Sequence, residues 1–466
     1  MRLLARSVSL TSYPQGLYTE TVQVMMYLCM LYTWKDLLLL SPLNRFKTFF
    51  TNLQFSRPFW FLITGSFINR AGNFVMPFFA LYLTSSRHLP ISEAALVVSL
   101  MGFGSLAAGA CGGMLADMLG RRVTILISLL AAAVMMLALS FAGNVWLIVV
   151  LAIIYMLFND LARPATSAAI ADMTPRDKLA QAYSLRYWAN NIGSAVGPII
   201  AGLLAPVSYL LLFLGDALTT FCFGVLIWFG VPETRLPRTV KSEESAERPG
   251  LMRVALADPW LWSYALLALL FDIVYFQHVT AMPLDMQAHS LSPLIYGSVM
   301  AINAVQVVLI SLPLTAFFNR RSPNTSLAIA ALFLGAGMSV FSWWHSYPGY
   351  LVGVMIWTVG EILNYPISTA IIVDISPKHL RGTYQGVFQT VRALSTVIAP
   401  ALGGFALQYL GATFFWQCCL VTGLLIALGY FILGNARRIR EARLAPHVAE
   451  PLPAASPVGS EISVNE

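Results

Sequence analysis

Long apolar segments, separated by short polar breaks, follow one another along the chain from Arg57 onward. Each segment is about 20 residues long, which is the length that an α-helix needs to cross the hydrocarbon core of a bilayer. The pattern predicts twelve membrane spans, near residues 58–83, 91–115, 123–142, 147–171, 186–206, 209–231, 259–283, 294–317, 326–345, 349–373, 387–409 and 413–434. The predicted fold class is therefore an all-α integral membrane protein.

The basic residues of the polar breaks predict how these spans are oriented. If residue 57 lies in the cytoplasm, the outer loops contain Arg87 as their one Arg or Lys. The inner side then holds five Arg or Lys in 232–258 together with Arg121, Arg122, Arg176, Lys178, Arg320, Arg321, Lys378, Arg381, Arg437, Arg438, Arg440 and Arg443. An excess of positive charge marks the cytoplasmic side of a membrane protein. We expect a multi-pass protein of the cell inner (plasma) membrane with both termini in the cytoplasm.

Composition excludes a set of soluble domains. Hydrophobic residues make up 58% of the 466 residues and charged residues 11%, whereas soluble domains are about 25% charged. The net charge of +7 is explained by the topology, so we expect no nucleic-acid partner. The cysteines lie in apolar segments at spacings that match no zinc site or disulfide framework, and we expect inert thiols at Cys29, Cys111, Cys222, Cys418 and Cys419. We expect the protein to use no metal and no cofactor, with the proton gradient as the driving force.

One long polar segment divides the spans into two equal groups. The predicted parts are an N-terminal extension over 1–57, a six-helix bundle over 58–231, a cytoplasmic linker over 232–258, a second six-helix bundle over 259–434 and a disordered cytoplasmic tail over 435–466. In the extension, 21–34 is apolar but too short to span comfortably. An interfacial helix and translated sequence upstream of the real start remain two open interpretations of 1–57.

The two groups of spans are copies of one another. When the chain is shifted by 202 residues, seven positions of the first half coincide with identical residues of the second half. The first-half residues are Pro164, Ala168, Ile170, Asp172, Pro175, Pro198 and Gly202, and their counterparts in the same order are Pro366, Ala370, Ile372, Asp374, Pro377, Pro400 and Gly404. Two bundles related by such a repeat place a central site at their interface, near the middle of the membrane.

The loop after the second span carries a recognisable motif. It reads GGMLADMLGRRVTI, and its characteristic positions are Gly113, Asp117, Gly120, Arg121 and Arg122. In these residues the chain resembles the major facilitator superfamily, over essentially all of 58–434. Met118 departs from the pattern, because the family usually has Arg after the Asp. In the second half, Asn319 replaces the acid and Arg320 keeps the base.

A second motif lies in the fifth span, NIGSAVGPIIAGLL. Gly193, Gly197, Pro198 and Gly202 resemble the motif of the superfamily's proton-coupled drug antiporter branch, and the first span, INRAGNFVMPFFALYLT, has the look of that branch. Exporters of metabolites, sugars and siderophores share these patterns. The glycines lie near one face of a helix and allow a neighbouring backbone to approach closely, while Pro198 bends the helix. A structural kink and a transport role are both open.

The charged loop motif also has two interpretations. Asp117 with Arg121 and Arg122 forms a charged turn that can bind partner groups in one conformation and release them in another, as a gate does. Alternatively, the two arginines only anchor the topology at lipid headgroups.

Seven ionisable residues fall within the spans: Arg70, Asp160, Arg163, Asp216, Asp272, Glu361 and Arg392. An unpaired charge in the membrane costs about 3 kcal/mol, so these groups must pair, titrate or face a water-filled cavity. Asp160 and Arg163 are three residues apart and can pair on one helical face. The resemblance links an Arg in this region to proton coupling.

Arg70 and Asp272 are pseudo-symmetry mates of opposite charge. We predict an ion pair between them across the bundle interface, whose formation and rupture ties protonation of Asp272 to movement of the two halves. Glu361 suits proton carriage or recognition of a cation, or is a hydrogen-bonded core acid. Arg392 is either the partner of Glu361 or the binding group for an anionic substrate. We interpret Asp216 as structural.

His278 either titrates near neutral pH or forms a plain hydrogen bond. Four aromatic residues lie on spans that are expected to face the cavity: Tyr275, Phe276, Trp357 and Tyr365. Their side chains either line the cavity and bind apolar or cationic molecules of varied shape, or only pack within the bundle.

These patterns predict a secondary transporter that exports small amphipathic molecules or drugs against inward proton flow, as a monomer and without enzymatic activity. A metabolite or sugar carrier with a symport or facilitated mechanism is an alternative within the same superfamily. A polytopic enzyme acting on lipids is a third candidate, but the sequence shows no nucleophile, metal or phosphate-loop constellation that would support it.

Overall fold

The computed structural model describes residues 55–175, 178–234, 250–318, 321–377 and 380–444. Within these ranges all regular secondary structure is helical. The predicted extension up to residue 54, most of the linker and the tail from 445 lie outside the described residues. So do six positions of the predicted inner loops, namely Arg176, Asp177, Asn319, Arg320, Lys378 and His379.

The helices follow the predicted spans closely. The first half contains α1 (Arg57–Ala71), α2 (Val75–Ser85), α3 (Ile91–Leu119), α4 (Arg121–Phe141), α5 (Val145–Met173), α6 (Leu179–Leu204) and α7 (Tyr209–Gly230). The second half contains α8 (Gly250–Leu256), α9 (Pro259–Tyr275), α10 (Ala281–Ala288), α11 (Pro293–Phe318), α12 (Pro323–Ser339), α13 (Tyr347–Ile375), α14 (Arg381–Ala393), α15 (Ser395–Leu410) and α16 (Ala412–Leu444). Short 3-10 turns cover Phe276–His278 and Val340–Ser342.

Ten helical segments of the described chain are long and apolar enough to cross a membrane. The remaining two of the twelve predicted spans do not meet this criterion of length and hydrophobicity. The first span is broken into α1 and α2, and α6 is rich in polar residues over its first half.

Two of the predicted boundaries also differ. The linker contains the short helix α8, and α16 continues past 434 to Leu444, where the guanidinium of Arg437 pairs with the carboxylate of Asp374.

The break in the first span is stabilised by a buried acid from α7. Asp216 is 2% exposed, and its carboxylate accepts a hydrogen bond from the backbone N–H of Val75, at 3.2 Å. Val75 is the first residue of α2. The N–H groups in the first turn of a helix have no acceptor inside that helix. Asp216 therefore has a structural role: its carboxylate supplies the acceptor that the N–H of Val75 lacks within α2.

The two bundles touch at the end that the basic residues predict to be the outer one, which we call the outer end. There α3 packs against α15 and α6 against α11. The backbone N–H of Ser92 donates to the side chain of Gln408, at 2.7 Å, and Thr84 donates to Gln287, at 2.9 Å. These contacts close the space between the bundles on the outer side.

Replacing Asp216 tests the capping contact. We expect Asp216→Ala to lower the free energy of unfolding by about 1–3 kcal/mol, because a buried N–H loses its acceptor. Asp216→Asn keeps an acceptor oxygen and should lose less. Thermal unfolding of the purified protein in detergent measures both variants. Equal stability of the wild type and Asp216→Ala would contradict the capping role.

Candidate functional site

A cavity of about 320 Å³ lies between the two bundles. Its charged lining residues are Arg70, Arg163 and Glu361. An adjoining cavity of about 360 Å³ shares Arg70 and Arg163 and extends to Arg186 and Tyr187 near the start of α6. The start of α6 belongs to the predicted cytoplasmic side, which we call the inner end. Every lining residue of the second cavity belongs to the first bundle, so the combined cavity runs from the space between the bundles into the first bundle, on the side of the inner end.

Three of the six predicted cavity residues line this space, and three lie behind its wall. Arg70 is exposed in the cavity, where its Nε donates to the hydroxyl of Ser194 on α6, at 2.8 Å. Asp272 and Arg392 are buried within the second bundle. The predicted pair between Arg70 and Asp272 is therefore not formed in this structure.

Asp272 is bound instead by Arg392. Their two parallel contacts measure 2.5 Å from Nε to Oδ2 and 2.8 Å from Nη2 to Oδ1, and the guanidinium lies over the ring of Tyr365 at 4.4 Å. Such a bidentate pair satisfies both charges where neither meets water. Arg392 is consequently neither the partner of Glu361 nor an anion-binding group of the cavity.

Asp160 and Arg163 do form the pair that their spacing allows, at 2.9 Å. The carboxylate of Asp160 is buried and also accepts hydrogen bonds from the side chains of Ser105 and Asn159. Arg163 is different, because 63% of its side chain is exposed and it lines the cavity. The arginine thus presents a positive charge on the side of the cavity formed by the first bundle.

Glu361 lies on the opposite bundle with neutral neighbours. The hydroxyl of Tyr275 donates to its Oε1 at 2.7 Å, and the amide of Asn303 donates to its Oε2 at 2.9 Å. The same amide contacts Thr358 Oγ1 at 2.9 Å. In the described part of the chain no basic side chain lies within ion-pair distance of Glu361. Asn303 was not identified from the sequence, because nothing in the pattern marks a lone Asn as a partner for an acid in another helix.

The predicted aromatic wall is only partly present. Tyr275 and Phe276 line the cavity, as does His278, whose Nδ1 lies 2.6 Å from the carbonyl oxygen of Tyr275. Trp357 is completely buried and stacks on His278 with ring centroids 5.3 Å apart, so it supports the wall from behind. Much of the remaining apolar lining consists of methionines that the sequence analysis missed: Met76, Met101, Met156 and Met300.

The loop motif forms a compact charged network at the inner end. Gly120 has φ +104°, a conformation that favours glycine, and it places the start of α4 beside Glu233. The carboxylate of Glu233 accepts the backbone N–H of Arg121 at 2.8 Å and of Arg122 at 3.2 Å. An acid at a helix N-terminus satisfies free donors and the helix dipole.

The side chains of the motif complete the network. Arg121 contacts Asp117 at 3.3 Å and Asp172 at 3.1 Å, and Arg122 lies over the ring of Trp228. Both arginines are thus held by protein groups in this structure. An added Cβ at Gly113 would meet no atom within 4 Å, so no close packing explains that glycine. Glu233 was missed in the sequence.

The glycine motif of α6 permits close backbone contacts on two sides. An added Cβ at Gly193 or Gly197 would lie 3.0 Å from backbone atoms of Ala71, at the end of α1. At Gly202 it would lie 2.8 Å from the Cα of Leu294 on α11. Across the same contact, Gly297 of α11 faces the carbonyl oxygen of Pro198. The motif therefore forms part of the interface between the bundles.

Known proteins resemble the chain over most of its length. It is 27% identical over 367 residues to the uncharacterised MFS-type transporter YqjV of Bacillus subtilis, a match that covers 76% of this chain and 87% of YqjV. It is 21% identical to a Na(+), Li(+), K(+)/H(+) antiporter of Planococcus maritimus, over 73% of this chain and 87% of the antiporter.

Two further similarities concern only part of the chain or only the fold. The multidrug resistance protein MdtG of Yersinia enterocolitica is 32% identical, over 37% of this chain and 43% of MdtG. The crystal structure of the nucleoside transporter NupG superposes with a TM-score of 0.72 at 11% identity, over 80% of this chain and 99% of NupG, and shows the fold alone.

The sequence profile of the Major Facilitator Superfamily matches residues 61–400, which is well over half of the chain. The repeat, the paired six-helix bundles and the cavity between them agree with that match, and the chain belongs to the Major Facilitator Superfamily of membrane transporters.

Proposed function

We propose that this transporter exports small amphipathic cations in exchange for protons. The observation that carries the proposal is Glu361, a carboxylate in the central cavity that accepts hydrogen bonds from Tyr275 and Asn303 and has no basic partner in the described part of the chain. A charged carboxylate is costly in a low-dielectric site unless something compensates the charge. A proton and a cationic substrate can each do so, and they exclude one another.

That competition is the basis of exchange. When Glu361 binds a proton on one side of the membrane, its affinity for a cation falls, and the cation leaves. When the proton leaves on the other side, the carboxylate attracts the next cation. Both ligands use one acid, so no second titrating group is needed in the cavity.

The apolar lining favours substrates of varied shape. Methionine side chains are flexible and polarizable and adapt to different ligands, and four of them surround the cavity. The names of two relatives, a multidrug resistance protein and a cation/proton antiporter, support cation export by protons without defining the substrate of this chain.

We further propose that the cavity opens alternately to the two sides. The structure is closed at the outer end by α3 with α15 and by α6 with α11, and its cavity extends toward the inner end. Separation of these helix pairs would open the outer side. The glycine contacts between α6 and α11 would then be broken and remade in each cycle, by a monomer in the inner membrane.

A metabolite carrier remains the second candidate. Arg70 and Arg163 both line the cavity, and an anionic metabolite could bind between them. Transport of organic anions or sugars rather than cations would favour this candidate.

Glu361→Gln tests the exchange mechanism. In inside-out membrane vesicles energised with a proton gradient, we expect at least tenfold less accumulation of a lipophilic cationic dye, because the amide carries no charge and takes up no proton. A panel of cations, organic anions and sugars, with and without an uncoupler, identifies the substrate class. Glu93→Gln is the matched control, since Glu93 is exposed at the start of α3. Uncoupler-sensitive accumulation that is equal in both variants would refute the role of Glu361.

Asp272→Asn tests whether the buried pair is structural. We expect the free energy of unfolding to fall by about 3–5 kcal/mol, because Arg392 would be left buried without its partner. Asp374→Asn breaks the exposed pair with Arg437 and should cost at most about 1 kcal/mol. Thermal unfolding in detergent compares the two. Loss of proton-driven transport without loss of stability in Asp272→Asn would instead make Asp272 the proton carrier.

Gly297→Ala tests the closure of the outer end. The added Cβ would lie 2.1 Å from the carbonyl oxygen of Pro198, so α6 and α11 must separate. In a cysteine-free background with Met300→Cys, we expect severalfold faster labelling by an impermeant maleimide added outside intact cells. Gly109→Ala is the control, because its Cβ meets no atom within 4 Å. Unchanged labelling in Gly297→Ala would show that this contact does not hold the outer end closed.

A further inference from the structure

Three potential metal ligands come together at the outer end of the second bundle, away from the central cavity. Asp285 lies on α10, His289 directly follows the last residue of that helix, and His345 lies in the loop that leads to α13. Each offers one ligand atom, and these atoms all lie within 4.8 Å of one another. We propose that Asp285, His289 and His345 bind a divalent transition-metal ion of the Zn²⁺ class.

The local fold brings these residues together in two steps. Asp285 in α10 and His289 just after its end are four positions apart, about one helical turn, so their side chains are neighbours. His345 then approaches from the other loop, and its imidazole stacks on that of His289 with ring centroids 4.1 Å apart and planes 4° from parallel. Two parallel imidazoles beside one carboxylate place three donors on the same side of the bundle.

The acid of this cluster is oriented by neighbouring side chains. One oxygen of Asp285, Oδ2, accepts hydrogen bonds from the hydroxyl of Tyr350 at 2.7 Å and the indole N–H of Trp416 at 2.9 Å. Outer partners of this kind hold metal-ligating carboxylates in place. The other oxygen, Oδ1, faces His289, whose Nδ1 is 3.4 Å away.

Two buried atoms of the cluster have no hydrogen-bond partner among the described residues. They are Oδ1 of Asp285, a residue that is 2% exposed, and Nδ1 of His345. Buried polar atoms nearly always form hydrogen bonds. A carboxylate oxygen and a ring nitrogen that form none, in one cluster, therefore suit a ligand that binds both. A metal cation is attracted by a carboxylate and by a neutral imidazole alike.

One ring nitrogen of His289 contacts the backbone of α10. Its Nδ1 lies 2.9 Å from the backbone carbonyl oxygen of Asp285, an acceptor that suits a protonated Nδ1. Metal-binding histidines commonly donate one ring N–H to a carbonyl and bind the ion through the other nitrogen. In His289 that other nitrogen is Nε2.

The donor set selects the class of ion. Two imidazoles and a carboxylate suit Zn²⁺, Co²⁺ or Ni²⁺, whereas Mg²⁺ and Ca²⁺ prefer oxygen ligands. Bonds of about 2.0–2.1 Å place tetrahedral ligands about 3.3 Å apart. The cluster must therefore contract by up to about 1.5 Å. The ring of His345 must also rotate out of its stack on His289, because an imidazole binds an ion in the plane of its own ring. Three protein ligands leave one position for water.

This site would act on the closure of the outer end. Gln287, two residues from Asp285, bonds to Thr84 and Ser85 of the first bundle, each at 2.9 Å. An ion bound to α10 and to the loop before α13 would stabilise α10 in the position where it makes these contacts. The sequence analysis expected no metal and did not identify this cluster, because His345 is far from Asp285 and His289 along the chain.

Metal titration of the purified full-length protein tests the site without any transport assay. The protein should carry no His tag and should first be stripped with a chelator. We expect Co²⁺ to produce the visible absorption of a tetrahedral or five-coordinate site at one equivalent, and Zn²⁺ to displace it. His289→Gln and His345→Gln should each weaken Zn²⁺ binding at least tenfold in calorimetry.

His88→Gln is the matched control, because His88 is an exposed histidine near the outer end that lies outside the cluster. Its affinity for Zn²⁺ should equal that of the wild type. Thermal unfolding without metal checks that the Gln variants remain folded. Absence of the cobalt spectrum, or equal Zn²⁺ affinity in His345→Gln and His88→Gln, would overturn the proposal and leave the proposed function of the cavity untouched.

Discussion

The architecture depends on how each charge inside the membrane is neutralised. Asp272 and Arg392 neutralise one another inside the second bundle, Asp160 is held by Arg163, and Asp216 satisfies the start of α2. Each of these acids has its partner within its own bundle. The bundles can therefore move against one another without exposing an unpaired charge to lipid. Glu361, whose described partners are neutral, is the acid on which the proposed exchange depends.

Packing between the bundles is governed by backbone proximity rather than by charge. Gly202 and Gly297 let α6 and α11 approach until main chain meets main chain, and Gly404 lets α15 approach Ala95 of α3 in the same way. Such contacts are made of many weak interactions and a few hydrogen bonds. An interface of this kind can separate and reform at modest cost, which a strong interbundle ion pair would oppose. The absence of an Arg70–Asp272 pair in this structure is consistent with that requirement.

Much of the fold was predictable because membrane spans follow from length and hydrophobicity alone. The repeat then located the interface, and the pairing of Asp160 with Arg163 followed from helical spacing. Partners in different helices were not predictable. Pseudo-symmetry suggested Asp272 for Arg70, yet the partner of Asp272 is Arg392, which approaches from α14 with a geometry that no spacing reveals. Asn303, Glu233 and the cluster of Asp285 with two histidines were missed for the same reason.

The charges of the cavity also bear on the proposed exchange. Arg163 is paired with Asp160, so Arg70 is the cavity-lining arginine of the first bundle that has no acidic partner in the described part of the chain. Glu361 lies on the second bundle, so an ionised Glu361 and Arg70 attract one another across the cavity, whereas a neutral Glu361 does not. A bound cation weakens that attraction as a proton does. In the proposed cycle either ligand therefore eases the separation of the bundles, while an ionised, empty site resists it. Exchange without leakage requires such a coupling, and the placement of Glu361 across the cavity from Arg70 is compatible with it.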